Sequence, residues 1–141
     1  MNKEEYLSQA AVLGRKIAKI EMNIGFYREA ACSPASSSND EPRVSKSRST
    51  EAPFARMVLK IADMELKVEK LKEERDKLLD EISTVIERCV DNKDYKALLI
   101  LRYLQDLEWE MICAKLCVAR ATAHRWHQAA LKRIVIPNQS V

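Results

Sequence analysis

Apolar residues near the start of the chain recur at Tyr6, Ala10, Leu13, Ile17, Ile20, Ile24, Tyr27 and Ala31, in alternating steps of four and three. That period is a coiled-coil seam and predicts a helix from about Lys3 to Ala31. Gly14 and Gly25 lie inside it, and each weakens a helix by about 1 kcal/mol relative to Ala. A second seam begins at Phe54. Phe54, Ile61, Val68, Arg75, Ile82 and Cys89 repeat every seven residues, with Met57, Met64, Leu71, Leu78 and Val85 in the complementary register. Arg75 alone breaks the apolar pattern. Buried by itself it would be costly, so it marks a polar layer or snorkels to the surface. A helix over 54–90 would be a rod of about 55 Å whose seam needs a partner: the first helix, a second copy of the chain, or both.

Between the seams, Cys32 to Pro53 is Ser-rich, holds three Pro and is almost without apolar residues. Such a segment buries too little surface to order itself and reads as a flexible linker. It allows the chain to reverse, so the two seams are expected to pair as antiparallel helices.

After Asp91-Asn92 the pattern shortens. Leu98, Leu101 and Leu104 predict a helix over about Asp94–Gln105. Trp109, Ile112 and Leu116 predict one over Glu108–Leu116, and a third runs from about Ala119 to Ile134 before Pro137. Only Cys117 to Ala119 separates the last two, which is the helix-turn-helix pattern. The fold class is therefore all-α: a long N-terminal helical hairpin or coiled coil, then a C-terminal three-helix unit. The divisions are 1–32 (coiled-coil helix), 33–53 (linker), 54–92 (long coiled-coil helix) and 93–141 (helix-turn-helix domain).

Charge changes the picture only in the last block. Residues 54–94 hold nine basic and eleven acidic side chains, whereas 95–141 hold seven basic and three acidic, with no acid after Glu110. A basic, acid-free helix suits a polyanion. No stretch has the length of apolar residues that spans a bilayer, and MNKEEYLSQ has no apolar signal core, so a cytoplasmic location is expected. Cys32, Cys89, Cys113 and Cys117 are then expected to be reduced thiols. Cys113, Cys117, His124 and His127 have a C-x3-C-x6-H-x2-H spacing that fits no usual zinc finger, and no metal or other cofactor is expected. The chain has neither a Gly-rich phosphate loop nor a nucleophile–base pair and reads as non-enzymatic.

The segment LRYLQDLEWEMICAKLCVARATAHRWHQAALKRI resembles the helix-turn-helix of sigma-factor region 4: a Leu-Arg-Tyr stretch, an aromatic-Glu-x-Ile-Ala-like helix, a short turn, and a helix with Thr near its start. The whole chain resembles the small phage-encoded ArpU- and RinA-like late-gene transcription regulators. The likeness includes the MNKEEYL start and the run His124-Arg125-Trp126-His127-Gln128-Ala129-Ala130-Leu131. The resemblance implies a phage or prophage regulator. The chain departs from the family pattern at Ala119, where Ser is favoured as N-cap, at Ala123, and at the small-residue positions filled by Cys113 and Cys117.

On a helical wheel, Ala123, His127, Ala130 and Ile134 share one face of the last helix, with Leu131 alongside. Ala121, Arg125, Gln128 and Lys132 share the other, flanked by Thr122, Ala129 and Arg133. Arg can pair with guanine O6 and N7, Gln with adenine, and Ala can meet a thymine methyl in the major groove. Arg120 at the helix start, with Lys115, Lys132 and Arg133, would meet phosphates. The expected partner is double-stranded DNA, bound by a homodimer that could also contact host RNA polymerase. Two alternatives fit the same pattern: a small terminase-like DNA-packaging recognition subunit, and a coiled-coil adaptor of host polymerase that does not bind DNA.

Overall fold

A computed structural model describes residues 1–32 and 47–137. The expected linker residues 33–46 lie outside the described residues. Regular structure among the described residues is helical, and the all-α class holds. The elements are α1 (Lys3–Cys32), α2 (Ser47–Cys89), α3 (Lys93–Leu99), a π-helical turn (Ile100–Leu104), α4 (Trp109–Leu116) and α5 (Arg120–Arg133). No helix among the described residues is long and apolar enough to cross a membrane.

The caps explain where two helices start. Asn2 Oδ1 accepts from the Glu5 backbone N–H at 2.8 Å while the Glu5 carboxylate accepts back from the Asn2 N–H, a reciprocal capping box. Asn92 Oδ1 accepts from the N–H groups of Asp94 and Tyr95 at 2.8 and 3.2 Å and fixes the start of α3. The second long helix begins earlier than its apolar pattern. It starts at Ser47, inside the segment read as linker, and carries Pro53 in its second turn. Extending an established helix adds one hydrogen bond per residue without a new nucleation cost, so weak formers can be recruited ahead of a strong seam.

The described chain forms two compact units, Met1–Gly14 with Glu73–Val141, and Arg15–Lys72. In the second, α1 and α2 run antiparallel. Arg28 pairs with Glu65, the Lys72 ammonium lies 3.3 Å from Glu21, and Lys60 sits over the Tyr27 ring. Ile17, Ile24, Val68 and Leu71 are its buried seam residues. Phe54, a predicted seam residue, is instead 52% exposed.

The first unit holds the larger core. Tyr6, Leu7 and Ala10 of α1 and Ile82, Val85 and Ile86 of α2 join Val90, Leu98, Leu99, Tyr103, Ile112, Ala123, Ala130, Leu131 and Ile134 in one cluster. The Tyr6 hydroxyl donates to Glu81 at 2.9 Å. Burial and the neighbouring carboxylate push its pKa up. Arg75 is half-buried in the seam: its Cδ lies 3.9 Å from where a side chain on Gly14 would begin, and its guanidinium reaches outward to Asp76 at 3.8 Å. Its Nε stays buried without a hydrogen-bond partner.

Candidate nucleic-acid interface

The chain leaves α3 through the π-helical turn. Gln105 N–H bonds the Ile100 carbonyl and Leu107 N–H bonds the Leu101 carbonyl, both at longer spacing than an α-helix uses. Leu98, Leu99 and Tyr103 face the core, and Leu101 and Leu104 are half-buried. The expected Leu98-Leu101-Leu104 face is shifted accordingly. Asp106, at φ 53°, turns the chain into α4, and the Arg102 guanidinium donates to the Leu107 carbonyl at 3.0 Å.

Helix α4 ends in a Schellman motif. Val118 N–H bonds the Cys113 carbonyl at 3.1 Å, Cys117 N–H bonds Ala114 at 3.4 Å, and Cys117 itself is left-handed at φ 57°, ψ 45°. Val118 and Ala119 follow in the three-residue connection, and α5 starts at Arg120. Its N-cap residue Ala119 is extended and makes no side-chain cap, so the first N–H groups of α5 have no side-chain acceptor there.

Packing fixes which face of α5 turns outward. Ala123, His127, Ala130 and Leu131 are buried, and Ile134 just beyond the helix is 1% exposed. Trp109 anchors the junction: its ring lies 5.0 Å from both His124 and His127, and the Arg102 guanidinium sits 5.1 Å from it. Trp126 packs on Tyr95 of α3 at 6.3 Å. The Lys3 ammonium donates to the Lys132 carbonyl at 3.4 Å, a cation at the negative end of α5.

Lys115, Arg120, Ala121, Arg125, Gln128, Lys132 and Arg133 are all exposed, and Thr122 is half-buried. Arg125 donates to the Thr122 hydroxyl at 3.2 Å, which holds its guanidinium along the outward face. His124, Arg125, Gln128, Ala129, Lys132 and Arg133 line a shallow open concavity on that face. The wheel does not single out His124 for this face. It lies one turn from both Ala121 and Gln128, so the i±3 and i±4 spacing could have placed it there. Arg133 is engaged within the chain, its guanidinium 5.3 Å from the Tyr95 ring, whereas Lys115 and Arg120 lie at the connection rather than in the concavity.

Among the described residues no group of three or more His, Cys, Asp or Glu is placed to hold a metal ion. The imidazoles of His124 and His127 face Trp109, and the Cys117 thiol turns to the Ala114 carbonyl at 3.7 Å.

These features define an all-helical chain whose last, acid-free helix offers one buried apolar face and one basic outward face. The chain belongs to the family described as "Protein of unknown function (DUF1492)", whose model matches residues 37–135. The match takes in α2 to α5 and leaves out α1, although Tyr6, Leu7 and Ala10 contribute to the larger core. No curated protein and no solved structure matches the chain.

Proposed function

We propose that this chain is a sequence-specific double-stranded DNA-binding transcription regulator of phage or prophage type, acting in the cytoplasm of a bacterial host. In this reading α4, its three-residue turn and α5 work as a sigma region-4-like helix-turn-helix, and α5 enters the major groove. The observation that carries the reading is the outward face of α5. Ala121, Arg125, Gln128 and Lys132 are exposed together on a helix without any acid, directly opposite Ala123, His127 and Ala130 in the core. Arg125 and Gln128 have the chemistry to read guanine and adenine edges. The uncapped start of α5, with Arg120, and the Lys115 and Lys132 ammonium groups suit phosphates on either side. Arg133 contributes less directly because Tyr95 holds it. The chain acts as a homodimer on paired half-sites, and its long helices are available to host RNA polymerase.

The test is duplex binding by the full chain across a salt series, followed by selection of preferred sequences from a random pool. The reading predicts affinity that falls linearly in log–log form with salt and a recoverable sequence preference. Absence of any duplex binding at low salt by folded protein contradicts it.

A further inference from the structure

Helix α2 carries a second apolar stripe that the coiled-coil seam does not use. Ala55, Leu59, Ala62 and Leu66 follow one another in steps of four, three and four. The stripe lies roughly 180° around the helix from Met57, Ile61, Met64, Val68 and Leu71. All four residues are exposed, Leu59 at 66% and Leu66 at 62%. The next positions in the same register are Glu69 and Glu73, so the stripe is bounded. It lies wholly in the unit Arg15–Lys72, whose described part is α1 and α2 packed through their other faces. Two helices form one layer contact, and an apolar stripe at coiled-coil spacing on the far side of one of them calls for another helix.

We infer that this stripe is the dimer surface, and that it pairs with the same stripe of a second copy in antiparallel orientation. The inference deepens the homodimer part of the proposed function and does not depend on DNA binding. Two features select the occupant. First, the stripe alternates small and large. Antiparallel self-pairing sets Leu59 opposite Ala62 of the second copy and Leu66 opposite its Ala55, so large fills against small in every layer. Parallel pairing would stack Leu on Leu and leave the Ala layers underfilled. Second, one flank complements itself. In the antiparallel register Arg56 comes opposite Asp63 of the second copy, and the twofold axis repeats that pair. Both side chains lie on the exposed flank of the stripe.

The test is sedimentation velocity of the full chain without DNA, at concentrations up to about 100 µM, where a weak dimer is populated. Wild type should sediment with a dimer component. Leu59→Glu/Leu66→Glu should weaken association by at least about a hundredfold, since it removes four buried leucines per dimer, with helicity by circular dichroism unchanged. Phe26→Glu, on the outer face of α1, should leave the dimer intact. Arg56→Asp should weaken the dimer by juxtaposing like charges, and Arg56→Asp/Asp63→Arg should restore it. A wild type that is monomeric throughout, or a Leu59→Glu/Leu66→Glu protein that still dimerises, overturns the assignment. Failure of the charge swap to rescue overturns the antiparallel register. A dimer that binds no duplex would leave this surface standing and contradict only the DNA-binding reading.

Discussion

The Tyr103 hydroxyl lies 2.6 Å from Nε2 of His127, inside the core that holds α5 against the π-helical turn. The rings overlap at 5.8 Å, and His127 is 6% exposed. Burial raises the Tyr103 pKa to about 12 and lowers that of His127, with Glu4 opposing the shift and Arg102 and His124 adding to it. Both partners are therefore neutral at pH 7, and one hydrogen bond satisfies them together. The direction of the His127 shift fixes the sign of the pH dependence. The folded state binds a proton at His127 less readily than the unfolded chain, whose value is near 6.5. Stability from this group is complete above that value and declines as pH falls below it. Thermal melts should show Tm dropping between pH 7 and pH 5, and His127→Gln should flatten that slope. Tyr103→Phe should cost about 1–3 kcal/mol at pH 7, because it leaves a buried imidazole nitrogen unpartnered.

Cys117 occupies the left-handed position that closes α4, where a residue with a Cβ is strained. Cys117→Gly should stabilise the protein by about 1 kcal/mol, read as an increase in Tm with the fold unchanged. Cys117→Val should do the opposite, since a β-branched side chain tolerates that backbone poorly. Equal melting of all three proteins would show that the turn carries no such strain.

Leu7 is fully buried, in the same cluster as Ile82, Ile86, Leu98 and Ile134, yet it precedes the segment that the family model covers. Leu7→Ala should destabilise by about 2–5 kcal/mol in chemical denaturation. Gly25 contrasts with it. Nothing lies within 4 Å of a Cβ built there, so Gly25→Ala should gain about 1 kcal/mol from helix propensity alone.

Much of this architecture was legible in the order of apolar residues. The inward set of α5, Ala123, His127, Ala130 and Ile134, is buried as the 3.6-residue period requires, with Leu131 alongside. In the seams the same is true of Ile17, Ile24, Val68, Ile82 and Val85. Other residues owe their burial to tertiary context that a single period does not encode. Leu7 and Ile86 lie off the seam, but near the ends of α1 and α2 a second face is covered within the larger core. Leu99 and Tyr103 lie inward at an i, i+4 spacing that continues from Tyr95, which the Leu98-Leu101-Leu104 reading passed over. The left-handed turn at Cys117 lacks the Gly that would have flagged it. On the outward face of α5 the period gave Ala121, Arg125, Gln128 and Lys132 as exposed, but not His124. The Arg133–Tyr95 contact was not legible, because its partners lie far apart in sequence.

Arg125 and Lys132 separate base reading from phosphate contact on α5. Arg125 projects from the middle of the outward face, steadied by Thr122, while Lys132 lies two turns further along α5. Binding of wild type, Arg125→Ala and Lys132→Ala should be measured on a selected duplex and on random duplexes across a salt series. Arg125→Ala should lose about 1–3 kcal/mol on the selected sequence and relax preference at one base pair. Lys132→Ala should weaken all duplexes alike and lower the salt slope by about one. If both variants fold and bind every duplex as wild type does, α5 does not face DNA and the account is contradicted.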